Sequence, residues 1–339
     1  MIENKRILVC PLNWGLGHAT RDIPIIRDLI AKNNKLFVAA DKQIISLLVE
    51  EFPDINYILF PSFNVRYSKN FLILKLFLAI PYILFKIFKE HQQLKQIISD
   101  YEIDVVISDN RFGLWNKKVH SIFITHQIMI KLPKSVRWFE KLLYKFNGWF
   151  IHKFDECWIP DFSEENNLSG DLSHKYKLPK NAKCIGIKSR FQVPENMPEV
   201  KEKMLVILSG PEPHRTILED KIISQLKNVP IPCLIVQGKP EHEQITKQIY
   251  SSVFSISHLN ATTLAREILS SKIVICRAGY STIMDLATLH KKAIIIPTPG
   301  QTEQEYLGKY LHEKGLFYCV NQSDLDIKKD IAMFERMYV

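Results

Sequence analysis

The chain has 339 residues, 46% of them hydrophobic and 24% charged, which excludes a disordered protein and leaves room for two domains of ordinary size. Its six cysteines, Cys10, Cys157, Cys184, Cys233, Cys276 and Cys319, form no CxxC pair. This excludes a zinc ribbon or a disulfide framework and fits a reducing cytosol. The net charge of +9 sits mostly in residues 1–160, with 22 Lys and Arg against 15 Asp and Glu, while residues 161–339 hold 23 against 21; a basic first half suggests an anionic partner such as membrane lipid, nucleic acid or a phosphorylated substrate.

Arg6–Cys10 is too short an apolar run for a signal peptide, and a buried strand is expected over Ile7–Cys10. A glycine turn follows, then apolar residues at helical spacing over Asp22–Ala31. Strands are expected at Lys35–Ala40, Ile55–Phe60, Val105–Ser108 and Ser121–Thr125, with a helix over His91–Ser99. The pattern restarts after Lys188–Lys203, where Pro194, Pro198 and several charges mark a linker. Strands at Met204–Leu208, Cys233–Gln237, Ile273–Cys276 and Ala293–Ile296 then alternate with helices at Ile217–Leu226, Ser281–Leu289 and Glu303–Glu313, and a short helix closes the chain at Ile331–Met337. Short apolar strands alternating with helices predict an α/β protein with parallel sheets covered on both faces. The expected division is 1–190, 200–325, and a C-terminal helix within 326–339 that packs back on the first domain.

Two segments interrupt this rhythm. Phe71–Phe88 is very apolar, but Lys75, Pro81 and Lys86 leave no charge-free run beyond Leu76–Phe85, so a membrane span is rejected. In 131–153, Trp138, Phe139, Leu142, Leu143, Phe146, Trp149 and Phe150 recur at helical spacing among Lys134, Arg137, Lys141, Lys145 and Lys153. Aromatic anchors with basic flanks suit a helix lying on an anionic membrane surface, and they equally suit a core helix of the first domain.

Asn13-Trp14-Gly15-Leu16-Gly17-His18 follows a strand and opens a helix. Gly15 and Gly17 let the backbone approach a ligand at a helix N-terminus. Thr20 stands where a dinucleotide fingerprint needs its third glycine, and no Gly-Lys-Ser/Thr follows. His18 is placed to act as a general base, or it caps the helix locally. Asp109 lies at a strand end facing the same crevice, where it either orients His18 or caps the next turn.

The strongest motif is Cys276-Arg277-Ala278-Gly279-Tyr280-Ser281-Thr282-Ile283-Met284-Asp285, a strand running through a glycine turn into a helix. Backbone amides and hydroxyls there suit a diphosphate, and Asp285 suits the two hydroxyls of a ribose. Pro297-Thr298-Pro299-Gly300-Gln301-Thr302-Glu303-Gln304-Glu305 forms a second polar loop after a strand. These stretches resemble the donor-binding region of the GT-B glycosyltransferases, closest to family 28 and its MurG-type members. Ala278-Gly279, Thr282 and Asp285 match the family pattern, with Asp285 where Glu is usual. Gln304-Glu305 falls on a Gln-Gln pair, and Gly308 stands in place of Asn. Gly15-Leu16-Gly17-His18 is similar to the family's N-terminal glycine loop. Ser209-Gly210-Pro211-Glu212 takes the place of its Gly-Gly-Ser loop, with Arg215 nearby as a phosphate partner.

The resemblance implies two Rossmann-like domains facing a cleft and an inverting hexosyl transfer that uses no metal or cofactor. Its donor is a UDP-sugar held by Ser209, Gly210, Arg215, Arg277, Gly279, Tyr280, Ser281, Thr282, Asp285, Gln301, Gln304 and Glu305. His18 is the base with Asp109 behind it. The acceptor is lipid-linked, and the protein is cytoplasmic and peripheral on the inner face of the membrane. A UDP-sugar 2-epimerase on the same fold, or a non-catalytic sugar- or lipid-binding protein, remains open. A dehydrogenase is disfavoured by the missing glycine although Asp41 sits at ribose spacing, and no nucleic-acid recognition motif appears. Asp324-Leu325-Asp326 reads as a solvated turn.

Overall fold

A computed structural model describes residues 2–13, 16–62, 72–163, 165–227, 229–239 and 244–338, with backbone only for 16 and 72–80. The chain divides into two compact units, Met1–Lys188 and Ser189–Val339, a boundary at the start of the stretch read as a linker.

In the first unit the order is β1 (Arg6–Cys10), α1 (Leu16–Ile30), β2 (Lys35–Ala40), α2 (Lys42–Glu51), β3 (Asn56–Leu59), α3 (Leu72–Tyr101), β4 (Val105–Asp109) and β5 (His120–Ile124). A 3-10 segment at Lys134–Phe139 leads into α4 (Glu140–Ile151), followed by β6 (Glu156–Ile159), the short α5 (Asp171–His174) and β7 (Ala182–Cys184). Seven parallel strands lie in the order β3-β2-β1-β4-β5-β6-β7. Alternation along the strands fills both faces. Ile7 and Val9 of β1 and Val38 and Ala40 of β2 pack under α1 and α2. Leu8, Cys10, Phe37 and Ala39 face the other way, against Leu94 of α3. Buried Arg111 ties this layer to α3 through Glu90, 2.8 Å from its guanidinium.

The second unit runs β8 (Lys201–Ile207), α6 (His214–Leu226), β9 (Cys233–Val236), β10 (Thr246–Tyr250), β11 (Val253–Ile256), α7 (Ala261–Ser270) and β12 (Ser271–Arg277). It continues through α8 (Tyr280–Thr288), β13 (Ile294–Ile296), α9 (Thr302–Glu313), β14 (Tyr318–Cys319) and α10 (Ile327–Tyr338). Its sheet has the order β10-β11-β9-β8-β12-β13-β14, with β10 antiparallel to β11 and the other pairs parallel. The α/β class and the two Rossmann-like sheets read from the sequence are thus borne out.

Several elements differ from the sequence expectation. Phe71–Phe88 and His91–Ser99 belong largely to one segment: 72–101 is a single helix that contains Pro81, while Phe71 lies outside the described residues. Among the described residues, no helix is long and apolar enough to cross a membrane. Of the C-terminal helix, Ile327, Ile331 and Phe334 of α10 join Leu218, Ile222 and Leu226 of α6 in the second unit's core. Asp324-Leu325-Asp326 is the turn before that helix. Asp326 accepts from Lys329 N at 3.1 Å, and Leu325 is buried in the core.

Phe334 is 2% exposed. Phe334→Ala is expected to cost about 3–5 kcal/mol of unfolding free energy, measured by denaturant unfolding. A loss under about 1 kcal/mol would mean that α10 does not complete this core.

Candidate functional site

In each sheet the chain leaves the first strand to one side and returns on the other, so the connections diverge between β1 and β4 and between β8 and β12. Loops at such a switch point leave a crevice beyond the strand C-termini. In the first unit the crevice is flanked by the β1–α1 connection and Asp109. Gly15 lies outside the described residues. Gly17 is in the first turn of α1, where its carbonyl accepts from Thr20 Oγ1 at 3.0 Å.

Two turns of α1 and the ends of β4 and β5 build a buried charged group. His18 Nδ1 is 3.0 Å from Asp109 Oδ2. An ionised carboxylate only accepts, so this bond puts the proton on Nδ1 and leaves the lone pair on Nε2, which makes no hydrogen bond among the described residues. Asp109 is completely buried. Burial alone would raise its carboxyl, but the Arg21 and His18 charges and hydrogen bonds outweigh it and hold the carboxyl below its ordinary range.

Arg21, one turn along the same helix face, places NH2 against Asp109 Oδ1; the same NH2 lies 2.9 Å from His18 Nδ1, and since both nitrogens are donors when Nδ1 carries its proton, that contact is not a hydrogen bond in the tautomer that bonds Asp109. Its NH1 is 2.9 Å from Nδ1 of buried His126, just past β5. Asp22 beside it is fully buried with neither oxygen hydrogen-bonded. Burial, reinforced by the Asp109 charge and only partly opposed by Arg21, raises its carboxyl well above the ordinary range. Arg21, Asp22 and His126 were missed in the sequence. The available signals were the three-residue spacing from His18 to Arg21 and the position of His126 at a strand end. Asp41, at ribose spacing for a dinucleotide, instead accepts from Ser62 N and Oγ at 3.1 and 2.9 Å, and Ser62 Oγ in turn accepts from Asn13 N at 3.2 Å.

In the second unit the loops after β8, β12 and β13 converge. Gly210 adopts φ +98°, open to glycine at no steric cost, and a Cβ there would lie 3.5 Å from Thr298 Oγ1. Ser209 beside it is exposed. Gly279 has φ −77° as the N-cap of α8, so its backbone does not demand glycine. A Cβ there would sit in the space 4.0 Å from Gln304 Nε2 and from Thr282 Oγ1. Glycine keeps that space open in front of the helix N-terminus. Tyr280 and Ser281 form the first turn behind it, with Tyr280 buried.

Arg277, 1% exposed, donates to Pro297 O at 3.3 Å and His214 O at 2.7 Å, and its Nε has no partner. Burial pulls its guanidinium down to about 10. Among the described residues no carboxylate pairs with it, which makes it a buried cation beside a helix N-terminus. Gln304 Oε1 accepts from Thr298 N at 2.9 Å, Glu305 Oε1 accepts from Gly300 N at 2.8 Å, and Gln301 is the N-cap of α9.

Two expected donor contacts meet other partners. Arg215 is not free to take a phosphate: its guanidinium is spent on Glu212 at 2.6 Å and Glu219 at 2.8 Å. Asp285 Oδ1 accepts from Ser189 Oγ at 2.5 Å, and Oδ2 lies 3.7 Å from Arg190 Nε. Burial raises the Asp285 carboxyl, with Arg190 and Ser189 offsetting part of the effect. A ribose reaching Asp285 would therefore displace Ser189. Gly308 has a steric reason: a Cβ would lie 2.6 Å from Cys319 Sγ and 2.8 Å from Pro297 Cγ, so α9 packs too closely for asparagine.

The fold is that of the GT-B glycosyltransferases. The glycotransferase of kitacinnamycin superposes with a TM-score of 0.67 at 12% identity, covering 99% of this chain and 94% of that one. MurG of Acinetobacter baumannii superposes with a TM-score of 0.58 at 13% identity, over 99% and 91%. Residues 212–336, most of the second unit, match the glycosyltransferase family 28 C-terminal domain, so the family 28 resemblance read from the Gly279 motif is borne out. The UDP-N-acetylglucosamine–N-acetylmuramyl-(pentapeptide) pyrophosphoryl-undecaprenol N-acetylglucosamine transferase of Histophilus somni is 43% identical over 58 residues, 17% of this chain and 16% of that protein's length.

Because folding raises the Asp22 carboxyl, the folded state binds its proton more tightly than the unfolded state. Stability from this group is therefore present below the ordinary carboxylate range and is lost as pH rises through the raised value. Asp22→Asn, which mimics the protonated form, is expected to be more stable than wild type at pH 8, with the difference shrinking toward pH 4.5. Parallel denaturant titrations at the two pH values check this. A difference independent of pH would show that Asp22 is not held protonated.

Proposed function

We propose that the protein transfers a hexosyl group from a nucleotide diphosphate sugar, UDP-linked, to an acceptor hydroxyl, with inversion and without a metal. The observation that carries this reading is the coincidence of the family 28 C-terminal match with the β12–α8 turn, where Gly279 leaves open space at a helix N-terminus beside the unpaired charge of Arg277. Free amides at a helix N-terminus and a buried cation suit a diphosphate and the charge that develops on it as it leaves.

On this reading His18 Nε2 takes the acceptor proton as the acceptor oxygen attacks the anomeric carbon. The bond from that carbon to the diphosphate breaks, and UDP departs with the electron pair. Asp109 holds the imidazole in the tautomer with the proton on Nδ1. Asp285 takes the ribose once Ser189 gives way, and Gln304 meets the donor sugar. The name of the Histophilus somni relative makes UDP-N-acetylglucosamine the first donor to test and a diphosphate-linked lipid the first acceptor class.

A thermal-shift series tests the donor. UDP at about 100 times its Kd should add about 2.7 kcal/mol of stability, NAD should add none, and Gly279→Ala should fold but lose the UDP response. With donor and acceptor supplied, His18→Ala should lower kcat by about 10²–10⁴-fold. Stabilisation by NAD in place of UDP, or full kcat in His18→Ala, would overturn the reading. Free sugar isomer formed from UDP-N-acetylglucosamine alone would make the protein an epimerase.

We further propose that it is a cytoplasmic protein that docks on the inner, anionic face of a membrane through α3 and α4. Phe85 and Phe88 of α3 are 61% and 59% exposed, and Trp138 and Trp149 are 73% and 57% exposed. Lys153 Nζ lies 4.9 Å from the Trp115 ring and 4.0 Å from that of Trp149, while Trp115 stacks 4.4 Å from His91 of α3, so the two aromatic faces are linked. Lys134, Arg137, Lys141 and Lys145 are exposed around them. In contrast, Phe150, read as part of the same face, is buried, and so is Lys131 at the start of the segment, bound to Asp171 at 2.7 Å.

Binding is expected to vesicles containing anionic phospholipid, weaker to neutral ones and weaker at high salt. Replacing both Trp138 and Trp149 by Ala should reduce partitioning about tenfold or more, since an aromatic side chain carries a large apolar area. Equal partitioning of this variant in vesicle sedimentation would rule out that face.

A further inference from the structure

We propose that Arg21 is a positioning residue for His18: it neutralises Asp109 and so keeps the imidazole uncharged and ready to accept a proton. This rests on the assignment of His18 as the base. An aspartate alone behind a histidine stabilises the imidazolium, because the charged pair is worth more than the neutral one inside a protein. A base that is already protonated is useless for removing a proton, so a histidine–aspartate pair buried without further charge would spend much of its time in the wrong state at neutral pH.

The first unit answers this with a cation on the same helix face. Arg21 is 2% exposed, contacts Asp109 Oδ1 with the same NH2 that lies 2.9 Å from His18 Nδ1, and is fixed at the far side by His126 Nδ1 at 2.9 Å from NH1. Because arginine only donates, the nitrogen of His126 facing it is an acceptor, and that imidazole ring is neutral there. The fourth group, Asp22, adds no anion to the balance while it keeps its proton. Among the described residues, the charged and titratable groups around His18 from α1, β4 and β5 are Arg21, Asp22, Asp109 and His126. Arg21 and Asp109 cancel, so a proton on the half-buried His18 would add an unbalanced charge beside a guanidinium. Asp109 is left with the geometric half of its task, holding Nδ1–H through Oδ2, while Arg21 occupies Oδ1.

The test is the titration of His18 followed by NMR of ¹⁵N-histidine-labelled protein, with the signal assigned by its loss in His18→Gln. No substrate is needed, so the result stands apart from whether sugar transfer occurs. In Arg21→Gln the His18 midpoint should move to higher pH by about one unit or more, the size expected for loss of a charge at contact distance. In Arg21→Lys, which keeps the charge, it should stay nearer wild type. Arg21→Gln leaves Asp109 buried without a partner, which can prevent folding. The comparison is therefore repeated between Asp109→Asn and Asp109→Asn/Arg21→Gln, where no anion is orphaned and removal of Arg21 should again raise the midpoint. A midpoint unchanged or lowered on loss of Arg21 in either background overturns the proposal. With substrates in hand, the acid limb of kcat/KM against pH should shift in Arg21→Gln as the NMR midpoint does, with activity recovering as pH rises. A uniform loss at every pH would assign Arg21 to the scaffold alone. If the NMR midpoint moves but no nucleotide sugar is turned over, the role of Arg21 stands and the transferase reading fails.

Discussion

Everything chemical in this chain hangs on one topological constraint, repeated in each unit. A parallel sheet that grows first to one side of its opening strand and then to the other cannot fill the space above the point of reversal with connections. In the first unit that point lies between β1 and β4, in the second between β8 and β12. The buried stretches of the central strands are dominated by Ile, Val, Leu, Ala and Cys, because both of their faces are covered. The polar groups of interest here stand at strand ends. His18, Asp109 and His126 in one unit, and Arg277, Gly279 and Thr298 in the other, stand where the apolar pattern stops.

The two units differ in one buried charge that each leaves without an opposite partner. The first balances its ions internally: Arg21 with Asp109, and Arg111 with Glu90. Among the described residues Asp22 is left without a hydrogen bond, and a carboxyl can resolve that by keeping its proton. The second unit buries Arg277 against carbonyl oxygens alone. Arginine has no comparable escape, since even the lowered value of about 10 leaves it charged at neutral pH. A balanced network suits a group that must cycle a proton without rearranging its surroundings. An unbalanced cation suits a place where the missing negative charge arrives with a ligand.

Much of the architecture was legible in the sequence because parallel strands buried on both faces read as short, continuous apolar runs. Lys35–Ala40 was found with its bounds, and the other strands recognised there were found within one to three residues. The elements that escaped have physical reasons to do so. β10, at a sheet edge, is mostly exposed and polar, β14 has only two residues, and α2 follows an N-cap Asp41 whose side chain is occupied by Ser62. The C-terminal helix was recognised, but an apolar stripe tells that a helix is covered and not by which core. Gly279 and His18 were visible because glycine and histidine at a strand-to-helix turn are chemically specific. Arg21 and Asp22 were hidden in plain sight, as charged residues in the middle of a helix normally read as its solvated face.

The departures from the family pattern fall where packing, not chemistry alone, makes the choice. Gly308 is required by the approach of α9 to Pro297 and Cys319, so the asparagine usual there has no room. Glu305, where a second glutamine is usual, turns back to cap its own loop at Gly300 N. Asp285, one methylene shorter than glutamate, reaches Ser189 and Arg190 within its own unit. Of the polar residues in this helix and loop, Gln304 keeps both its family identity and an amide nitrogen facing the space beside Gly279.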